Sequence, residues 1–462
     1  MSSAKVETPV AAQATSPSGP DSYELANVGK EDRSVGNDSS KADDEDKSLY
    51  QTPAQIRIER IRFATLCHSF FLLGWNDGST GPLLPAIKGH YNVGFAAVSS
   101  LFIVTCAGAA VGAFSIFYLL DKLGFGKVLV IGAILQTIAY AVQAAAPPFP
   151  AFVVIAFING MGMSFQDATG NGFVASLKRN GARKMGILHA VYGLGAFVAP
   201  FVATPFSSMK AKQWALFYIT SAGIAAIAAV ALSVVFRFKR QDVLLHETNS
   251  EIHKEEPSAD GTVTVDGRNK MMHTLSLPLV HYLAFYIGVY VGVEVTLGGW
   301  VVTFIRDERG GNASSGYITS GFFGGLMAGR ILLLPVNSWL GERRVIFLYA
   351  VLTIALDVVI WQVRSLIGDA VAVSIIGVLF GPMYPIVMHQ AGLILPPRIL
   401  AGAVGYIAGF GIVGAAIIPF ITGALAARFE IRVMPIVVLI MTTMMAMLWA
   451  LAMRQQKRSR ID

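Results

Sequence analysis

The chain has 462 residues, of which 54% are hydrophobic and only 14% are charged. Soluble domains usually carry about 25% charged residues, so this composition excludes an ordinary soluble protein and indicates a chain that lies mostly in lipid. The formal net charge of +7 comes from basic residues scattered over loops without interleaved aromatic residues, which argues against a nucleic-acid partner.

Residues 1–55 are rich in Ser, Asp, Glu and Lys and predict a disordered cytoplasmic tail, because they offer too little apolar surface to bury. No apolar stretch follows the initiating methionine, so a cleavable signal peptide is not expected. Residues 455–462 predict a second, short cytoplasmic tail.

Twelve apolar runs follow the first tail, and each is long enough to cross roughly 30 Å of hydrocarbon as a helix. A backbone that faces lipid must satisfy its N–H and C=O groups within the segment, which favours helices over any open structure. The predicted spans 1 to 12 cover about residues 63–87, 95–120, 127–146, 150–176, 184–207, 214–238, 274–305, 314–337, 344–363, 370–395, 399–426 and 431–454.

A polar stretch, residues 239–273, predicts a cytoplasmic linker between two halves of six spans, residues 56–238 and 274–454. The halves match as an internal repeat, in which Asp77 of span 1 corresponds to Glu294 of span 7. Lys and Arg are concentrated in the loops on the side of both termini, which predicts that both termini are cytoplasmic. Parallel six-helix repeats place a substrate site at their interface near the midplane of the membrane.

The loop between spans 2 and 3 carries Asp121, Lys122, Gly124 and Lys127. This loop resembles the signature of the major facilitator superfamily, although Phe117 stands where the signature has glycine. The resemblance implies an all-α membrane protein of twelve transmembrane helices in two pseudo-symmetric halves. It also implies that the four loop residues act as a latch that stabilises one conformation.

Three further segments resemble the fucose-permease-like group of sugar transporters and its fungal relatives: Phe70–Asp77, Tyr290–Trp300 and Gly325–Arg330. This resemblance implies a secondary active transporter that moves a small polar solute such as a sugar together with protons. Solutes vary widely within such folds, so the resemblance does not identify the cargo. Efflux of an organic metabolite and a non-transporting nutrient sensor remain as alternatives.

Charged side chains inside the spans are few, and each costs at least a few kcal/mol near the bilayer centre unless it is paired or functional. The acids are Asp77, Asp167, Glu294 and Asp357, and the one base in the middle of a span is Arg330. Since the resembled group places membrane acids in spans 1 and 4, Asp77 and Asp167 are predicted to carry the proton. Asp357 lies in span 9, which usually packs outside the cavity in this superfamily, and is expected to be structural.

Polar and aromatic side chains at similar depth are predicted to bind the solute through hydrogen bonds and ring stacking. Arg330 is predicted to pair with Glu294 or to hold span 8 against a neighbour, and Trp300 either stacks on a sugar ring or anchors span 7 at the membrane interface. The predicted solute-binding residues are Asn76, Asn159, Gln166, Asn171, His189, Tyr192, Glu294, Trp300, His389 and Gln390.

The expected partners are the solute, the proton and the lipid bilayer, with the chain acting as a monomer in the plasma membrane. No cofactor and no metal site are predicted, because the histidines are dispersed along the chain. Phosphate-binding loops and a nucleophile elbow are absent from the sequence, so an enzyme is not expected.

Overall fold

The computed structural model describes residues 51–248 except residue 178, and residues 272–458 except residue 273. In these ranges the regular structure is helical, and they contain no strand. Residues 1–50 of the predicted tail, residues 249–271 of the predicted linker and residues 459–462 lie outside the described part of the chain.

The helices of the described chain form the twelve predicted spans. Spans 1 to 6 are Pro53–Tyr91, Phe95–Leu123, Phe125–Ala144, Phe149–Ala175, Gly181–Ser207 and Phe217–Phe236. Spans 7, 9, 11 and 12 are Pro278–Arg309, Glu342–Gln362, Pro397–Phe429 and Met434–Arg458; span 8 consists of Tyr317–Leu332 and Leu334–Leu340, and span 10 of Leu366–Phe380 and Met383–Ile394. By length and composition ten spans can cross a membrane, and the bent span 8 makes eleven.

Span 1 is the longest helix and begins with a capping box. The Thr52 hydroxyl accepts a hydrogen bond from the Gln55 amide, the Gln55 side chain accepts one from the Thr52 amide, and Pro53 occupies the first helical position. Its 39 residues correspond to roughly 58 Å at 1.5 Å per residue. The helix is therefore longer than the hydrocarbon core is thick.

Spans 8 and 10 are interrupted, whereas the sequence predicted them as continuous helices. Span 8 bends by 53° at Leu333. Span 10 breaks at Gly381 and Pro382, and both Pro382 and Pro385 lack the N–H that would continue the helical hydrogen bonds. The corresponding spans 2 and 4 of the first half are unbroken, so the two halves differ at this point.

Glycines let the helices of each half approach closely. A Cβ atom on Gly74 of span 1 would lie 1.8 Å from the carbonyl oxygen of Tyr192 in span 5, and one on Gly414 of span 11 would lie 1.7 Å from that of Gly288 in span 7. Only glycine permits such backbone contact. The crossings of spans 1 and 5 and of spans 7 and 11 are equivalent under the internal repeat.

The two halves meet at the end remote from the start of span 1. There a Cβ atom on Gly81 would lie 2.2 Å from the Gly298 oxygen, and one on Gly423 would lie 2.6 Å from the Ser99 Cβ. At the opposite end, the glycines of spans 4, 5, 10 and 11 meet no described atom within 4 Å of their Cβ positions. These are Gly172, Gly186, Gly392, Gly402, Gly405 and Gly409. The cleft between the halves is therefore closed at one end and open at the end where span 1 begins.

The first part of the predicted linker packs against the first half. It contains a short helix, Gln241–Glu247, in which Leu244 is fully buried. Arg62 of span 1 donates to the Leu244 oxygen at 2.6 Å and forms an ion pair with Glu247, as does Lys239. Partial burial opposes the charge on Glu247, but the hydrogen bonds from Lys239 and Arg62 outweigh it and hold the pKa of this carboxyl below its usual value.

Candidate functional site

Asp77 lies at the centre of a hydrogen-bond network within the first half. The Tyr192 hydroxyl donates to Asp77 Oδ2 at 2.6 Å, and Asn76 Nδ2 donates to Asp77 Oδ1 at 3.2 Å. The Asn76 oxygen in turn accepts from the Tyr140 hydroxyl at 3.1 Å and from Asn159 Nδ2 at 2.9 Å. The network joins spans 1, 3, 4 and 5 around one carboxyl group.

Close helix packing explains why Tyr192 reaches Asp77. Gly74 and Gly78 flank the acid on span 1, and a Cβ on Gly78 would lie 2.2 Å from the Ala196 oxygen of span 5. With the two backbones in contact, the Tyr192 hydroxyl spans the remaining distance to the carboxyl. The glycines of span 1 therefore position the site as well as the fold.

Glu294 occupies the corresponding place in the second half. It interacts with the hydroxyl of Tyr290, one turn earlier on span 7, and lies within electrostatic reach of Arg330 on span 8. The Tyr290 hydroxyl also donates to the Phe380 oxygen at 3.2 Å, next to the break in span 10. The Tyr384 ring lies 6.0 Å from the Tyr290 ring, on the other side of this break.

The charged groups of the two halves lie within electrostatic reach of one another. Asp77 acts electrostatically on both Glu294 and Asp167, and Tyr384 lies within the electrostatic reach of Asp167, Glu294 and Arg330. Asp167 is exposed and accepts a hydrogen bond from Asn171 at 3.0 Å. The structure thus brings together three of the predicted acids and the predicted base.

Two other predicted residues have less polar surroundings. His189 is exposed, lies near Arg330 and packs edge-on against Phe70 with ring centroids 5.7 Å apart. Gln166 is fully buried against Gly132 of span 3, and neither of its amide atoms has a hydrogen-bond partner in the described chain. His189 therefore borders the shared space, whereas Gln166 lies behind it.

Trp300 lies at the closed end of the cleft. It is fully buried, donates to the Pro419 oxygen at 2.9 Å, and has the rings of Phe95 and Phe102 each 5.9 Å away. In this conformation the indole is open neither to a solute nor to the membrane interface. Its observed contacts join spans 2, 7 and 11.

His389 and Gln390 lie apart from the acid cluster. Both side chains bind Glu342 at the start of span 9, at 2.8 Å and 2.7 Å. Gln390 also accepts from Arg343 at 3.3 Å. The structure therefore groups these residues at the end of the molecule where span 1 begins, and we do not include them in the binding site proposed below.

The predicted latch residues lie on the same side. Asp121 and Lys127 are exposed, and the ammonium of Lys122 lies 4.4 Å from the centre of the Tyr118 ring. Gly124 has a φ of +83°, a conformation that favours glycine, and forms the corner between spans 2 and 3. This corner packs against the start of the linker, where the Gly126 amide donates to the Lys239 oxygen at 2.9 Å.

Asp357 is buried in span 9, and neither carboxyl oxygen has a hydrogen-bond partner in the described chain. Across the described ranges, no three His, Cys, Asp or Glu side chains form a group that could hold a metal ion.

Three site residues were missed in the sequence: Tyr140, Tyr290 and Tyr384. For Tyr290 the spacing of four residues from Glu294 was an available signal, because it places both on one helix face.

The fold and this pairing of intramembrane charges can be compared with known proteins. The family model described as Major Facilitator Superfamily matches residues 66–398. The chain belongs to the major facilitator superfamily. Membership confirms the predicted fold class, and it shows that the protein is a transporter rather than an enzyme.

Two curated relatives align along most of this transporter. Bypass of stop codon protein 6 of Saccharomyces cerevisiae is 26% identical over 422 residues, which cover 87% of this chain and 84% of the relative. The glucose/mannose transporter GlcP of Bacillus subtilis is 21% identical over 355 residues, covering 77% and 85%. The predicted likeness to the fucose-permease-like group is consistent with these matches.

Solved structures share the fold of the transporter at low sequence identity. A D-xylose-proton symporter is 11% identical with a TM-score of 0.67, and covers 84% of this chain and 96% of its own. The E. coli fucose:proton symporter is 16% identical with a TM-score of 0.55, covering 85% and 98%. A bacterial homologue of the human lysosomal transporter Spinster, in an inward-facing conformation, is 12% identical with a TM-score of 0.70, covering 88% and 99%.

Proposed function

We propose that this transporter moves a small polar solute such as a sugar by alternating access, and that protons bound at Asp77 and Asp167 drive the movement. The observation that carries the proposal is the position of Asp77. Its carboxyl is held by Tyr192 and Asn76 at the edge of a space that Glu294 and Arg330 of the other half also border.

Proton binding explains why carboxyl groups are retained at this depth. An ionised carboxylate inside the membrane is costly, and burial near other acids favours the neutral form. A group that is neutral in one conformation and ionised in the other can take up a proton on one side and release it on the other. Asp167 lies close enough to Asp77 to interact with its charge, so a proton on either carboxyl affects the other.

The side chains around the acids suit a solute rich in hydroxyl groups. Asn76, Tyr192 and Asn171 provide amide and phenol groups that donate and accept hydrogen bonds, and Tyr384 adds an aromatic face. The relatives named for glucose and mannose, xylose, and fucose support this class of solute. Two of them are also named as proton symporters.

The contacts between the halves support alternating access. The closed end relies on small residues such as Gly81 and Gly298, which can separate without leaving large cavities. At the open end, glycines of spans 4, 5, 10 and 11 border the cleft and could pack in the same way when it closes. The proposal also places both termini and the open end of the cleft on the cytoplasmic side. In it, the protein acts as a monomer in the plasma membrane.

Uptake into proteoliposomes tests this function. Labelled hexoses and pentoses should accumulate when the outside is more acidic, and collapse of the pH gradient should abolish accumulation. The Asp77→Asn variant should lose accumulation but keep exchange of labelled for unlabelled solute, because its site stays neutral. Full accumulation by this variant would contradict the role of Asp77. Accumulation of solute inside acid-loaded vesicles, as protons leave, would favour efflux by antiport instead.

A further inference from the structure

In the described chain, hydrogen bonds of Asn76 connect Asp77 to spans 3 and 4. Its amide nitrogen donates to Asp77, while its oxygen accepts from both Tyr140 and Asn159. The distances are 3.2, 3.1 and 2.9 Å. Tyr192 binds the other carboxyl oxygen of Asp77 and takes no part in this connection.

The two ends of a side-chain amide are not equivalent, because one only donates and the other only accepts hydrogen bonds. An ionised carboxylate accepts hydrogen bonds, so it requires the NH₂ end of Asn76. A protonated carboxyl carries an O–H donor, which is satisfied by the oxygen end. The observed orientation of Asn76 is therefore the one that suits ionised Asp77, and Tyr140 and Asn159 hold it there.

Asn159 carries an acceptor, unpaired within the described residues, that the opposite orientation of Asn76 can use. Asn159 is 4% exposed, and its Oδ1 atom has no hydrogen-bond partner in the described chain. Buried amide oxygens rarely remain unpaired. If the amides of Asn76 and Asn159 both turned over, the NH₂ group of Asn76 would face the Asn159 oxygen, which can accept. The network thus contains an acceptor for the turned amide of Asn76.

We propose that the side-chain amide of Asn76 turns over when Asp77 is protonated, and that this changes its hydrogen bonds with spans 3 and 4. Tyr140 and Asn159 act as positioning residues. The proposal deepens the proposed function and rests on proton binding at Asp77. Asn159 lies on the same helix as Asp167, eight residues earlier, so protonation of Asp77 reaches the span that carries the second acid. The connection couples the two proton sites without direct contact between them.

Other groups also face Asp77 and contribute to its titration. Tyr192 binds it directly. Charges or titratable groups within electrostatic reach come from spans 2, 3, 4, 5, 7 and 8. They are Cys106, Tyr140, Asp167, Tyr192 and Glu294. Arg330 belongs to the same set, because its charge acts on Glu294 and Tyr192. Variants of Tyr140 and Asn159 leave all the charged members of this set in place.

The pH dependence of uptake tests the proposal. In Tyr140→Phe the amide loses a donor that holds its oxygen away from Asp77, so protonated Asp77 is favoured. The pH of half-maximal uptake should rise by about half to one unit, a fraction of the one to two units that a hydrogen bond to a charged group provides. Asn159→Leu should shift it by less than Tyr140→Phe, because it removes the acceptor for the turned amide as well as a donor to the observed one. In an Asn76→Ala background neither change should have a further effect.

The matched control is Tyr218→Phe. The Tyr218 ring stacks on the Tyr140 ring at 6.3 Å but forms no hydrogen bond with Asn76 in the described chain. This variant should keep the wild-type half-maximal pH. An equal shift in Tyr218→Phe, or an unchanged half-maximal pH in Tyr140→Phe, would overturn the proposal while leaving proton coupling intact. Wild-type uptake that ignores the pH gradient would overturn both.

Infrared difference spectroscopy on the purified protein gives a readout that needs no transported solute. The protonated-carboxyl band of Asp77, assigned as the band missing in Asp77→Asn, should titrate at higher pH in Tyr140→Phe than in the wild type. An amide band that changes with it should disappear in Asn76→Ala. Titration of the carboxyl band without any change in an amide band would exclude the turning of Asn76.

Discussion

At the residue scale, the site is defined by groups that no single helix supplies. Asp77 has its partners on span 5 and, through Asn76, on spans 3 and 4. Glu294 has its partners on its own helix and on span 8. The two halves therefore neutralise their acids differently: the first half uses neutral donors, and the second uses a phenol and a cation.

This difference predicts the response to substitutions of Glu294 and Arg330. Arg330→Gln should lower the stability of the purified protein by about 1–3 kcal/mol, because it leaves the desolvated Glu294 without a compensating charge. Adding Glu294→Gln should restore part of the loss. Thermal unfolding in detergent measures both.

The control for this pair is Arg432→Gln, since the Arg432 side chain is 67% exposed. It should leave the unfolding temperature unchanged. If the double variant were less stable than Arg330→Gln, the two charges would not stabilise each other.

At the element scale, the break in span 10 packs against span 8 shortly before its bend. A Cβ atom on Gly381 would lie 2.5 Å from the Leu326 oxygen and 2.9 Å from the Arg330 amide nitrogen. The break in span 10 is thus packed against the backbone that carries Arg330.

The prediction at this contact compares two glycines. Gly381→Ala should destabilise the protein by about 1–3 kcal/mol, because backbone atoms cannot yield to the added methyl group. Gly405→Ala is the matched control, since its Cβ position has no described atom within 4 Å, and it should be neutral or stabilising by up to about 1 kcal/mol. Equal unfolding temperatures for the two variants would show that the contact is not tight.

The docking of the linker helix is predicted to depend on pH. Because the folded-state pKa of Glu247 is lowered, its ion pairs stabilise the docked helix fully above the ordinary glutamate pKa, about 4.3, and this stabilisation is lost as the pH falls through the lowered value. Hydrogen exchange of Gln241–Glu247, corrected for intrinsic rates, should therefore be slow at neutral pH and faster in acid.

Substitution of the same carboxyl separates this effect from general acid unfolding. Glu247→Gln should exchange quickly already at neutral pH, whereas Asp242→Asn, at an exposed position of the same helix, should behave as the wild type. Slow exchange in Glu247→Gln would mean that the buried Leu244 alone holds the helix.

At the scale of the whole molecule, the cleft is closed at one end by contacts between spans 2 and 11. The Cβ position of Gly423 lies 2.6 Å from the Ser99 Cβ, so two cysteines there need only a small separation to reach disulfide geometry. With Cys67 and Cys106 replaced by serine, Ser99→Cys combined with Gly423→Cys should cross-link on oxidation and stop transport. Reduction should restore it, and Ser99→Cys alone should be unaffected by oxidant.

Efficient cross-linking without loss of transport would contradict the requirement that this end opens during the cycle. Trp300 packs beside the same contact, within 2.8 Å of the Gly423 Cβ position. Its predicted role in solute binding can therefore be tested only in the conformation in which this end is open.

The sequence by itself determined the spans, the two halves and the short list of intramembrane charges. These features are local: hydropathy over some 20 residues decides whether a segment enters lipid, and a repeat is visible without any contact. Asp77, Asp167, Glu294 and Arg330 were found because charges in apolar spans are rare.

Only the tertiary structure decided which groups meet. The partners Tyr140, Tyr290 and Tyr384 were missed, since tyrosines are common in spans and their directions depend on how helices cross. Trp300 was placed at the closed end, and His389 and Gln390 on Glu342, by packing between helices distant in sequence. The helix crossings decide which side chains become partners, and the hydropathy of a single helix does not predict these crossings.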